Sequence, residues 1–314
     1  MLLFGQEERV FPVDLPAKLI YSHHMAELQG PKCHFCDVCD GHGCVGELPG
    51  MGGVYGNANF IENCAAWKEF PQDGGPVVAP ALRLAPITGA IQNVGYPDER
   101  RFYHDLIAAA RSADLALSIG DGYPDEKLRY GIEALETAGE KGAVFIKPYE
   151  NSKILERVEW ARSVSEIVGV DIDSYAIVTM RNLVNLQQKS ASQLAEVRRA
   201  AGVPFAIKGV FRKEDIELVR EVQPDIVVVS NHGGRVETDR GSTAAFLAHY
   251  GKELAGLCGE LWVDGGIRNC RDVLAAGRLG AKTVMIARPV ITALLAGGVS
   301  GVRSRLAGFF QQNW

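Results

Sequence analysis

Eight short apolar runs, each followed by an amphipathic stretch, predict an α/β fold: a (β/α)8 TIM barrel over residues 76–314. The runs are Leu82–Thr88, Leu115–Gly120, Ala143–Pro148, Ile167–Asp173, Pro204–Gly209, Ile226–Asn231, Leu261–Gly266 and Thr283–Pro289. None alternates polar with apolar residues, so each reads as a parallel strand covered on both faces. A doubly wound open sheet is the competing architecture. It would more often carry a glycine-rich dinucleotide turn after the first strand, and "APITGA" (Ala85–Ala90) is not one.

The elements follow in chain order. Residues 1–75 depart from the rhythm: "CHFCDVCDGHGCVGELPGMGG" (Cys33–Gly53) is dense in Gly and Cys and lacks periodicity. An irregular N-terminal cap on one barrel domain is expected, not a separate domain, so 1–314 reads as a single unit. The helical stretches carry their own punctuation. Asp98–Ala113 opens on an acidic turn just after Pro97, Asp125–Gly142 passes a glycine stop at Gly139, and Ser190–Gly202 runs from a serine cap to a glycine.

Bulk properties narrow the class. With 314 residues, 47% of them apolar, the chain is long enough to bury a large core. A net charge of −5 with no basic block argues against nucleic acid. There is no charged lead-in before an apolar run, and no stretch of about 18 apolar residues of the kind a membrane span needs. Seven cysteines, an odd count, fit a reducing compartment. A cytoplasmic homo-oligomer acting on a small molecule is expected.

Barrel chemistry gathers where the βα loops converge, at the carboxyl ends of the strands. The run ends carry Thr88, Ser118, Lys147, Asp171, Asp173, Lys208, Ser230–His232, Asp264 and Arg288. Charged groups gathered in one mouth must pair or bind a charged ligand. An anionic cofactor or substrate is therefore expected. After the last two runs, Gly265 and Gly266 would let backbone N–H groups approach a phosphate, while Arg268 and Arg288 balance its charge. A plain tight turn is the alternative for the glycine pair. Lys208 has no acidic neighbour in sequence, so a bound anion is its expected partner.

"PFAIKGV", "DIVVVSNHGGR" and "LWVDGGIRNCRDVLAAGRLGAKTVMIARP" together resemble the FMN-dependent 2-hydroxy acid oxidase and dehydrogenase family, which includes glycolate and lactate oxidases. The resemblance is strong from about Gly202 to Val290. Upstream it continues in order, with "LRLAPIT", the "DID" of Asp171–Asp173, and "GNANFIENCAAW" before the barrel. It implies FMN as cofactor and oxidation of a 2-hydroxy acid to the 2-oxo acid. His232 would be the base, Asp173 its hydrogen-bonding carboxylate, and Arg235 the clamp on the substrate carboxylate. Lys208 would sit by the flavin's N1/O2 edge, while Ser118 and the backbone at Ala85 and Pro86 would touch the ring. Asp264, Gly265, Gly266, Arg268 and Arg288 would hold the ribityl phosphate, with Asp171 and Ala287 in the same cofactor-binding set. Two other readings stand beside this one. One is an FMN-dependent isomerase of the type 2 isopentenyl diphosphate isomerase kind, and the other a non-catalytic flavin- or metal-binding protein.

The chain departs from the family pattern at its substrate end. Lys147 and Tyr149 stand where the third strand normally supplies a glutamine and a tyrosine, Tyr55 is out of register, Arg181 is a stand-in for a second substrate arginine, and Ala287 replaces a glycine. Cys33, Cys36, Cys39 and Cys44 form C-x2-C-x2-C-x4-C, a spacing compatible with an iron–sulfur cluster, with zinc, or with free thiols. A cluster would offer electrons a route other than oxygen and favour a dehydrogenase. Iron and zinc analysis of protein purified without air separates the three: iron for a cluster, zinc alone for a zinc site, neither for thiols.

Overall fold

The computed structural model describes residues 58–70, 78–177, 184–236 and 238–310. Its strands are β1 (Ala81–Leu84), β2 (Ser118–Gly120), β3 (Gly142–Ile146), β4 (Ser165–Asp171), β5 (Phe205–Val210), β6 (Ile226–Val229), β7 (Glu260–Val263) and β8 (Thr283–Ile286). All pair in parallel, in the order β1-β8-β7-β6-β5-β4-β3-β2. The ring closes through an Arg83–Ala116 bridge, with Leu84 N–H donating to Ala116 O at 2.8 Å and Ala116 N–H donating to Leu82 O at 3.1 Å. A closed parallel ring excludes the open doubly wound sheet.

Helix α1 (Ala58–Ala66) precedes the barrel. After the eight strands come, in turn, α2 (Glu99–Ser112), α3 (Glu126–Ala138), α4 (Asn151–Ala161), α5 (Ala191–Ala201), α6 (Lys213–Val222), α7 (Thr243–Ala255), α8 (Cys270–Arg278) and α9 (Arg288–Phe310), the last kinked at Gly298. The sequence signals act locally as expected. Asp98 caps α2 by accepting from Arg101 N–H, Ser190 forms a capping box with Gln193, and Gly139 and Gly202 end their helices in the left-handed region. Several strands are shorter than their apolar runs: β1 stops at Leu84, ahead of Pro86, which has no N–H to give a ladder.

Strand parity sorts the apolar residues into two layers. Ala143, Phe145, Ile167, Ala206, Ile226, Val228, Trp262 and Met285 form one cluster inside the ring. Their neighbours Val144, Ile146, Val168, Ile207, Val227, Val263 and Val284 join the larger cluster packed against the helices. Further along the strands, two residues on in most and four on from Ile167, the same inward parity places Lys147, Asp171, Lys208, Ser230, Asp264 and Ala287. The apolar plug thus ends in a charged layer at the carboxyl-terminal mouth, where the βα loops begin.

The cap region expected to be irregular contains α1, a regular helix. Asn59, Phe60, Asn63 and Ala66 are its buried face, and that face lies on the loops after β6 and β7. Asn59 Nδ2 donates to Val236 O and Asp239 O, both at 2.8 Å, and Trp67 Nε1 donates to Gly265 O at 2.8 Å. The glycine pair after β7 is required here for a reason the sequence did not suggest. A Cβ on Gly266 (φ 76) would stand 1.9 Å from Asn63 O, so close approach of α1 demands a residue without a side chain. Gly266→Ala is expected to cost about 1–3 kcal/mol by forcing this contact apart, read as a lower urea midpoint and earlier proteolysis between α1 and the barrel.

Candidate active site

His232 sits on the turn after β6 with φ 56, a left-handed conformation unusual for a residue bearing a Cβ. Such strain persists only where surrounding contacts over-determine it. Its own N–H donates to Ser230 Oγ at 3.2 Å. Asn231 Oδ1 accepts from Gly234 N–H at 3.0 Å and from Asn63 Nδ2 at 2.7 Å, so α1 braces the turn.

The ring is held at both nitrogens. Nδ1 lies 2.8 and 3.0 Å from the two Asp173 oxygens. Asp173 reaches it because Gly209 (φ 96) leaves room on β5: a Cβ there would meet Asp173 Cγ at 2.4 Å. At the other nitrogen, Nε2 lies 3.3 Å from Lys147 Nζ and 3.3 Å from Asp171 Oδ2. An ionised Asp173 can only accept, so it calls for hydrogen on Nδ1, while Nε2 faces both a donor, Lys147, and an acceptor, Asp171.

Asp171 is the centre of a buried charge chain. It accepts from Lys147 Nζ at 2.8 Å through one oxygen and from Lys208 Nζ at 3.0 Å through the other. Lys208 also donates to Ser230 Oγ at 3.2 Å and pairs with Asp264 at 3.5 Å. Burial alone would raise the Asp171 carboxyl, but Lys147, Lys208 and His232 hold it well below the usual carboxylate range. Burial would likewise lower Lys208, yet Asp171, Asp264 and Asp173 keep it above the usual lysine value. This corrects the expectation that Lys208 needs a bound anion as its partner. The counter-charge comes from the neighbouring strand, where Asp171 and Lys208 are paired in register, a neighbourhood that adjacency in sequence cannot show.

A cleft enclosing about 990 Å3, its open mouth included, lies over this layer. Ala85, Pro86 and Thr88 form one wall, and Lys147, Lys208, His232 and Arg235 line the floor and side. Asp264, Gly265, Gly266, Arg268, Ala287 and Arg288 form the far corner. Arg288 lies over the Phe60 ring, 4.3 Å from its centroid, and donates to Gly233 O at 3.4 Å, while Arg268 donates to Ile267 O at 3.1 Å. Three of the site residues expected from sequence stand off the cleft wall. Asp171 and Asp173 lie behind the lysines and the histidine, and Ser118 is buried in β2. Tyr149 also stands away from the cleft, packed under the Arg157 guanidinium at 4.5 Å. Cys33, Cys36, Cys39, Cys44, Tyr55 and Arg181 lie outside the described residues. The contacts of Lys147 and the bracing by Asn63 were not anticipated. For Lys147 a signal existed, since period-two counting from Phe145, Gly169 and Ala206 puts Lys147, Asp171 and Lys208 on one inward face.

A braced imidazole beside buried cations, at the rim where closed parallel barrels keep their chemistry, is an arrangement suited to acid–base chemistry. The chain belongs to the family described as FMN-dependent dehydrogenase, whose model matches residues 141–311. Among curated proteins, it is 40% identical over 110 residues to a 4-hydroxymandelate oxidase of Amycolatopsis orientalis, covering 35% of this chain and 30% of that one. It is 41% identical over 100 residues to a 2-hydroxyacid oxidase of Dictyostelium discoideum, covering 32% and 26%. The matched stretch is thus under a third of either relative. A solved structure of mandelate oxidase with (S)-2-phenylpropionate superposes with a TM-score of 0.61 at 25% identity, over 83% of this chain and 87% of that one.

The residues present fit FMN. Asp264 Oδ1 is buried without a hydrogen-bond partner on a residue that lines the cleft, an acceptor suited to a ribityl hydroxyl. Arg268 and Arg288 flank it at the corner where a phosphate would be neutralised.

Asp171→Asn leaves two buried ammonium groups short of counter-charge and is expected to destabilise the fold by about 3–5 kcal/mol. Because the folded carboxyl is held low, its contribution is full above the unfolded value of about 3.9 and fades as pH falls below it. Urea midpoints at pH 7 and pH 3 check both: the gap between wild type and variant should be wide at the first and narrower at the second.

Proposed function

We propose that this chain oxidises a 2-hydroxy acid to the 2-oxo acid, with FMN held at the barrel mouth and His232 as base. The observation that carries the reading is the His232–Asp173 pair, whose imidazole lines a cleft shared with Lys208 and Arg235. Bound FMN would supply the two-electron redox chemistry. The rest is done by the chain's own groups. Arg235 orients the substrate carboxylate through its planar fork of donors. His232 removes the hydroxyl proton at Nε2, and Asp173 stabilises the imidazolium that results. Lys208 places a fixed positive charge under the cleft, where negative charge on the cofactor would be balanced. Asp264, Gly265, Gly266, Arg268, Ala287 and Arg288 would hold the ribityl phosphate end, with Ala85 and Pro86 against the ring.

The named activities of the relatives, on a 2-hydroxy acid and on 4-hydroxymandelate, support this substrate class. A reducing, cytoplasmic setting and a homo-oligomeric state belong to the same reading. Among the described residues, no helix is long and apolar enough to cross a membrane.

The test is anaerobic mixing of FMN-loaded protein with a panel of 2-hydroxy acids while flavin absorbance is followed. Bleaching by at least one acid is expected, and none by any acid would refute the proposal. His232→Ala should keep FMN bound yet lower the bleaching rate by about 100-fold or more.

A further inference from the structure

Lys147 stands where the family resemblance leads one to expect a glutamine, and it has been given no part in the reaction so far. Its position is defined from three sides. Its backbone N–H donates to Asp121 Oδ2 at 3.3 Å, its ammonium donates to Asp171 Oδ2 at 2.8 Å, and the same nitrogen lies 3.3 Å from His232 Nε2. Its side chain is 8% exposed, and what is exposed faces the cleft. Nε2 is the atom that must receive the substrate's hydroxyl proton. The hydroxyl oxygen must therefore sit within a hydrogen bond of Nε2, about 2.6–3.2 Å, which brings it beside Lys147 as well.

We propose that Lys147 is a further catalytic residue, moving its hydrogen bond from Nε2 to the substrate's 2-oxygen and stabilising the charge that grows there. In the resting site the ammonium donates to Nε2 and keeps the imidazole correctly oriented. When substrate arrives, its hydroxyl displaces Lys147 from Nε2 and takes the ammonium as donor. The O–H bond then breaks, its proton passes to Nε2, and the electron pair left on oxygen becomes the carbonyl bond as hydride leaves the carbon to the cofactor. Lys147 stays protonated throughout. The new Nε2–H finds its acceptor in Asp171 Oδ2, already 3.3 Å away. Lys147 and Asp171 thus serve the two states of one nitrogen: a donor for the lone pair and an acceptor for the proton. The groups facing the imidazole, Lys147 from β3, Asp171 and Asp173 from the end of β4, and Lys208 from β5 behind Asp171, fix the same order of events.

This rests on the oxidation proposed above, so its test needs a readout that does not depend on turnover. The probe is 15N-histidine NMR of the FMN-loaded, oxidised protein, with His232 assigned by the resonance lost in His232→Asn. In wild type, Nε2 should show the shift of an unprotonated nitrogen accepting a hydrogen bond. Lys147→Met should move that resonance toward a free lone pair and lower kcat about 100-fold or more, with KM changed far less. Lys147→Gln, which keeps a neutral donor and guards against loss of folding in the first variant, should retain the Nε2 shift and lose about tenfold in kcat. An Nε2 resonance unmoved in Lys147→Met, or a kcat in either variant within about twofold of wild type, would overturn the proposal. If no acid bleaches the wild-type flavin, the oxidation reading falls, while the spectrum still decides whether Lys147 donates to Nε2.

Discussion

One carboxylate between two ammonium groups organises this molecule. Asp171 lies 2.8 Å from Lys147 and 3.0 Å from Lys208, all three buried at the top of an apolar plug. An isolated buried charge costs several kcal/mol, so none of the three would be stable there alone. Three adjacent strands must therefore hold a common height, and the mouth of the barrel is built at that height. The histidine on the next strand inherits its position from this layer, since Nε2 is within 3.3 Å of two of its members.

The second constraint comes from outside the barrel. Helix α1 presses Asn63 and Phe60 onto the loops after β6 and β7, and the glycine positions there answer to it. This changes what the glycines mean. From sequence, Gly266 reads as room for a phosphate. In the fold, the space where its Cβ would stand is taken by the Asn63 carbonyl, so the glycine seats a helix against the rim of the cleft. Both uses are compatible, because the same residue also lines the cleft. The strained φ of His232 belongs to the same arrangement: Asn63 fixes Asn231, and Asn231 fixes the turn.

The proposed cofactor and proton-transfer sites thereby share one polar layer, with different requirements. The far corner needs fixed positive charge and an acceptor for hydroxyls, which Arg268, Arg288 and Asp264 provide. The near side needs a base held in one orientation, which Asp173 at one nitrogen and the Lys147–Asp171 pair at the other provide. The family match begins at residue 141, just before β3, so it contains every member of this layer. The variation lies in which charges fill the layer: a lysine on the third strand here makes the substrate end more cationic than the resemblance alone would suggest.

Sequence determined the repeating element order, because apolar runs and capped amphipathic helices are local signals. Through its resemblance to a known family's motifs it also singled out His232, Asp173, Arg268 and Arg288, which the fold then gathers at the barrel mouth. Parity would have placed Lys147, Asp171 and Lys208 on one inward face, yet not within hydrogen-bond reach of one another. That distance depends on the register between strands whose residues are 24 and 37 positions apart. Only the closed ring decided it, and with it the partner of Lys208, the contact of Lys147 with His232, and the seat of α1. Charge pairing across parallel strands is non-local, and a chain written in one dimension holds the residues without the distances.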